Sequence, residues 1–144
     1  MSRLWVRILL FVAVATAIGL LLDWLIETDR EKIEKLIETC RVAALRGDAE
    51  GVMSQVDPAY SHLGRDFAAI RERVAGGLRQ FKADKILILD PRLELHEDDT
   101  ARINLVVRIF RPPQELPLVI DLEVSLGLVK KEKRWYIASV DEGD

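Results

Sequence analysis

Apolar and polar positions along this chain follow three successive patterns. From Ile8 to Leu22 there is no charged residue and a single polar one, Thr16. A run that is apolar on every side predicts a helix without a polar face. At about 1.5 Å per residue it covers about 22 Å. Counted from Leu4 to Ile26, it reaches the roughly 30 Å of a bilayer's hydrocarbon core. Trp5 and Trp24 bracket it, where indole rings favour the headgroup level. Arg7 lies near enough to one end for its stem to reach the interface. The predicted span therefore enters through Leu4, Trp5 and Ile8 and leaves through Leu22, Trp24 and Ile26.

The second pattern has the helical period. Thr28-Asp29-Arg30-Glu31 has the form of a capping box, and Ile33, Leu36, Ile37, Cys40 and Ala44 follow on one face. Gly47 marks the end of that helix. Asp48 opens a short second helix through Val52, Met53 and Val56. Asp57-Pro58 breaks it and starts a single turn containing Tyr60. Asp66 opens a third helix carrying Phe67, Ile70, Val74, Leu78 and Phe81. Gly76-Gly77 either weakens it locally or admits another backbone closely. No hairpin is legible between the second and third helices.

The third pattern alternates. Lys85 to Leu95 reads as a strand interrupted at Asp90-Pro91, the mark of a bulge or an edge. Ala101, Ile103, Leu105, Val107 and Ile109 share one face of a second strand. Leu116, Leu118, Ile120, Leu122, Val124, Leu126 and Leu128 do so in a third. Arg92, Glu94, His96, Arg102, Asn104, Arg108, Asp121 and Glu123 have the opposite parity. Lys130 to Arg134 is a charged turn before a last strand, Trp135 to Val140. Short connections predict an antiparallel meander. The predicted fold class is α+β: an N-terminal transmembrane helix, then about three helices on a curved antiparallel sheet of about four strands. The domains divide as residues 1–26, a stub plus the span, and residues 27–144.

Charge orients the span. Arg3 and Arg7 precede it, whereas the charged residues from Asp23 to Asp29 are all acidic. The positive-inside rule places the N-terminus in the cytoplasm and the domain outside, across a bacterial inner membrane. A cleaved signal peptide is the competing reading, since Ala15-Thr16-Ala17 has the small-x-small form. Cleavage there would leave Ile18 to Leu22 as an exposed apolar tail. The domain itself carries 19 basic and 23 acidic side chains. Such a balance argues against nucleic acid as a partner. Cys40, the one cysteine, excludes an intrachain disulfide and a cysteine-rich zinc site. No cofactor or metal is predicted: His62 and His96 lie in different elements, and Glu97-Asp98-Asp99 reads as an acidic turn.

The order of elements, with "RGDAEGVMSQVDPAY" after the first domain helix and "LVKKEKRWYIASVD" at the end, resembles the nuclear transport factor 2-like superfamily of cystatin-like α+β cones. Gly47-Asp48 matches its turn after the first helix. Trp135-Tyr136-Ile137 matches its closing strand. The superfamily's hairpin between the second and third helices is the feature not seen. The resemblance implies a cone with an apolar interior and a sheet whose outer face often forms homodimers. Members include isomerases and dehydratases, which place acids, Tyr or His inside the cone, as well as inert binding modules. Carried onto this chain, Asp57, Tyr60 and Asp66 are the candidate catalytic residues near the expected cone mouth. Tyr60 otherwise packs its ring and turns its hydroxyl to water. The inward strand positions are aliphatic, and Cys40 reads as a small hydrophobe. The sequence is therefore read as a membrane-anchored, non-catalytic binding or scaffold domain for a protein or a small hydrophobic ligand. An isomerase or dehydratase, and a carrier of envelope lipids, are the alternatives.

Overall fold

The computed structural model describes residues 3–25, 28–80, 82–114 and 116–142. It divides into two compact units, Met1–Lys32 and Ile33–Asp144. The first is dominated by helix α1 (Arg3–Leu25), 23 residues long. The stretch Arg3–Leu22 is long and apolar enough to cross a membrane, and its side chains from Leu4 to Leu22 are exposed. Thr16 Oγ1 donates to Val12 O, one turn back, at 2.8 Å. The helix thus satisfies its hydroxyl without water, as a lipid-facing or signal helix requires. Ile26 and the side chain of Trp24, both assigned to the span, lie outside the described residues.

Helix α2 (Asp29–Leu45) begins as predicted: Glu31 N–H donates to Thr28 Oγ1 at 3.2 Å. It buries Ile33, Leu36 and Ala43. Gly47 ends the segment at φ +67°, and Asp48 N–H returns to Ala43 O at 2.8 Å. Helix α3 (Ala49–Met53) is capped by Asp48, whose carboxylate accepts from Gly51 N–H at 3.0 Å.

Val56 is not in that helix. After a turn at Ser54 and Gln55 the chain pairs in parallel with β6 (Arg134–Glu142) at Val56 and Ile137, and the proline disfavours a return to helix at Asp57. Asp57 N–H donates to Ile137 O at 2.9 Å, and Ile137 N–H to Gln55 O at 2.8 Å. A second departure follows at once. A hairpin, β1 (Ser61–His62) with β2 (Arg65–Asp66), stands between α3 and α4 (Phe67–Gln80). Its turn residues Leu63 and Gly64 both have positive φ, 51° and 75°, the type I′ geometry of tight hairpins. Two-residue strands are too short to show alternation, which is why no hairpin was legible. Asp66 caps α4 as expected, accepting from Ala69 N–H at 2.9 Å. Phe81 lies outside the described residues.

The main sheet runs β3 (Lys85–Leu95), β4 (Thr100–Phe110), β5 (Val119–Lys131) and β6, each antiparallel to the next. Asp90, at φ 48°, and Pro91 form the expected bulge on edge strand β3. A second irregularity sits at Gly127–Leu128 against β6. Bulges bend and twist strands, which gives the sheet its curvature. The β5–β6 turn carries Glu132 and Lys133 at positive φ. Strand β5 starts at Val119, so Leu116 and Leu118 belong to the β4–β5 connection and not to the strand; Pro117 between them has no N–H for a ladder. On the concave face Leu93, Ile103, Leu126 and Val140 lie in register. Ile33, Leu36, Met53, Val56, Tyr60 and Ile70 close over that face in one cluster with Leu128, Trp135 and Ile137.

Glycines give the sharpest packing tests. A Cβ on Gly51 would lie 2.6 Å from Asp48 Oδ2 and 2.9 Å from Ala43 Cβ, between α2 and α3. On Gly76 or Gly77 it would meet nothing within 4 Å, so the pair weakens α4 without admitting a neighbour. Gly51→Ala is expected to destabilise the domain by about 1–3 kcal/mol. Gly76→Ala is expected to stabilise it by about 0.5–1 kcal/mol. Urea midpoints at constant m-value measure both.

Candidate functional site

Asp57, Tyr60 and Asp66 all fall on the connection from α3 to α4, where the structure gives them unlike environments. Asp57 is 6% exposed, and it is the one buried side chain of polar or charged type among the described residues. It is held there by three partners. Its own N–H is bonded to β6, as above. Its Oδ1 accepts Ala59 N–H at 3.0 Å, the Asx turn that Asp-Pro favours. Its Oδ2 lies 2.7 Å from Lys131 Nζ, at the end of β5. Burial alone would raise its pKa. The Lys131 ammonium and the Ala59 amide outweigh that, and hold the carboxyl below the usual carboxylate range.

Tyr60 N–H donates to Asp57 O at 2.9 Å, so the two residues share one turn. Tyr60 is 4% exposed and part of the core cluster, so its ring packs as expected. The ring serves as packing beneath the turn. Asp66 is exposed, and its carboxylate is engaged in capping α4. A general acid for isomerisation or dehydration needs a carboxyl raised towards neutrality. The structure supplies at Asp57 a carboxylate pushed the other way, and at Asp66 a carboxylate occupied by a helix end.

The pairing of Asp57 with Lys131 was not legible, because "VKKEKR" offers four basic side chains with nothing to distinguish them. A second pair was also unforeseen. His62 Nε2 lies 2.8 Å from Asp141 Oδ1, joining β1 to the far part of β6. Arg73 of α4 approaches Glu142 at 3.7 Å next to it. His96 lies at the β3–β4 turn with Glu97, Asp98 and Asp99, a shallow, open surface. Among the described residues no three His, Cys, Asp or Glu side chains gather as metal ligands would.

The opposite face of the sheet carries a cross-strand ion pair. Arg108 holds Asp121 through two bonds of 2.8 and 2.9 Å across β4 and β5. These bonds lower the Asp121 pKa and raise that of Arg108. Arg102 reaches Ser125 Oγ at 3.3 Å. Both members of the Arg108–Asp121 pair are largely solvated, so it contributes little stability. At the concave side Cys40 is half-buried against the core, and burial pushes its thiol up to about 11.

Two measurements follow. Asp57 is depressed in the folded state, so its contribution is complete above the ordinary carboxyl pKa of about 3.9 and is lost as pH falls through the lower folded value. Lys131→Met removes the main compensating charge. It is expected to destabilise the domain by about 1–2 kcal/mol at pH 7, the lower side of the range because half of Lys131 is in solvent. The deficit should narrow as pH falls and Asp57 takes up its proton, so the acid-side loss of stability is flatter for the variant in a denaturant series. For Cys40, a thiol at about 11 instead of about 8.5 holds roughly three-hundred-fold less thiolate at neutral pH. Its reaction with a disulfide reagent should be slow in native protein and accelerate on unfolding.

No protein-family profile and no curated protein matches this chain. Solved structures do. A cystatin-like protein of unknown function from Nostoc punctiforme is 13% identical at a TM-score of 0.66; the match covers 80% of this chain and 91% of that one. A nuclear transport factor 2-like protein of unknown function from Shewanella oneidensis is 15% identical at 0.62, covering 81% and 100%. Bd1075 of Bdellovibrio bacteriovorus is 14% identical at 0.65 over 79% of this chain, which spans only 41% of that protein. The domain of this chain has the nuclear transport factor 2-like, cystatin-like fold.

Proposed function

We propose that this chain is a single-pass membrane protein that presents a binding or scaffold domain, rather than an enzyme, on the extracytoplasmic side. The observation that carries the binding reading is the state of Asp57. The one buried charge among the described residues is paired with Lys131 and accepts a backbone amide, next in the chain to Val56 of the apolar cluster. Such a carboxylate fastens structure and has no proton to give at neutral pH. The sheet's concave positions are aliphatic, so recognition would fall to surfaces and not to a reacting group. Fold alone does not decide between these roles, since one scaffold hosts many.

Anchoring rests on α1, with its unburied apolar length and the Arg3 and Arg7 that precede it. In an envelope-bearing bacterium, alkaline phosphatase fused after Asp144 is expected to be active and the chain to remain in the membrane pellet after alkaline wash. An inactive fusion would reverse the orientation, and release of a shortened chain would show a signal peptide instead. For the scaffold role, crosslinking of the detergent-solubilised full chain is expected to give a defined assembly. Recovery of the monomer alone would refute it.

A further inference from the structure

Three hairpin tips close the main sheet, and they differ in kind. The β3–β4 tip is His96-Glu97-Asp98-Asp99, and the β5–β6 tip is Lys131-Glu132-Lys133-Arg134. Both are what water demands of a loop. The β4–β5 connection reads Arg-Pro-Pro-Gln-Glu-Leu-Pro-Leu, and its apolar residues are open: Leu116 is 80% exposed and Leu118 46%. The flanking strand ends are apolar on both faces. Ile109 pairs with Ile120 on one, and Phe110 with Val119, 45% exposed, on the other. Charges of both signs lie at the same end, with the exposed Asp84 between two lysines. Lys85 opens β3 opposite Phe110, with its ammonium 5.7 Å from that ring, and Lys82 is exposed just ahead of it.

We propose that this tip enters the interfacial zone of an anionic bilayer, as a second, peripheral membrane contact of the domain. An apolar point with lysines behind it is the pattern that places leucines below the headgroups and ammonium groups against lipid phosphates. The occupant is lipid and not a protein groove for a reason of chain length. Only residues 26–28 separate α1 from α2, about 14 Å at full extension. With α1 in the bilayer, that tether keeps the start of α2 close to lipid. The inference thus rests on the anchoring reading.

The test uses the full chain in nanodiscs of phosphatidylethanolamine and phosphatidylglycerol. Spin labels go on Leu118→Cys, Leu63→Cys or Phe11→Cys, each in a Cys40→Ala background. Leu63 is an exposed leucine of the β1–β2 turn, and Phe11 reports α1. The expected result is that the labels at 118 and 11 lose accessibility to an aqueous nickel complex and gain it to oxygen, while the label at 63 stays in water. A label at 118 as wet as that at 63, with 11 in lipid, overturns this inference and leaves the anchor standing. A label at 118 shielded from both agents means that protein covers the tip, and likewise overturns it. Lipid accessibility at 63 as well removes the assignment to this tip, and a wet label at 11 overturns both readings. Leu116→Cys, at the most exposed position of the tip, repeats the reading where the fold has least to lose.

Discussion

The domain depends on how its last strand is fastened. Strand β6 ends the sheet, and an open strand edge is a row of unpaired amides and carbonyls. Here residues 55–57 lie along that edge and exchange two backbone hydrogen bonds with Ile137. Asp57 then anchors the same segment to the neighbouring hairpin through Lys131. Around this seam the core assembles: Val56, Tyr60, Trp135 and Ile137 are all buried within one cluster. The His62–Asp141 contact continues the fastening further along the strand. A buried charge is costly unless it is paired and hydrogen-bonded. Asp57 meets both conditions, which is why its carboxylate can be buried.

That arrangement also separates likeness of fold from likeness of activity. A cone fold with an acid and a tyrosine near its mouth invites an acid–base reading. In this chain the acid is ionised and clamped, and the tyrosine is packing. The same residue types in the same region are here engaged in the fold's own contacts. What distinguishes the two roles is the environment of one carboxyl, which is set by a lysine more than seventy positions away.

Much of the fold was legible because it rests on periodicity. The capping Thr28, the stripe of α2, the end at Gly47 and the alternation of β4 are patterns carried by neighbouring positions in the chain. The bulge at Asp90-Pro91 was legible because proline cannot serve a ladder. What failed was short or distant. The β1–β2 hairpin has too few residues for a period. Val56 left its helix for a strand edge some eighty residues later. Leu116 and Leu118 kept the parity of β5 while standing outside it. Of the candidate site, the position of Asp57 was readable and its state was not. The direction of its pKa is fixed by Lys131, which sequence spacing does not connect to it.

The two borders of the sheet are unequal. One is occupied by the chain's own segment 55–57 and the small hairpin beside it. The other, β3, has no strand beside it among the described residues, but the Asp90-Pro91 kink breaks its line in the middle and Arg41 already takes the Ile86 carbonyl at 3.3 Å. A flat ribbon needs two straight, vacant borders per subunit to polymerise. This domain offers at most half of one, so crowding at a surface can concentrate it without seeding fibrils by lateral strand addition.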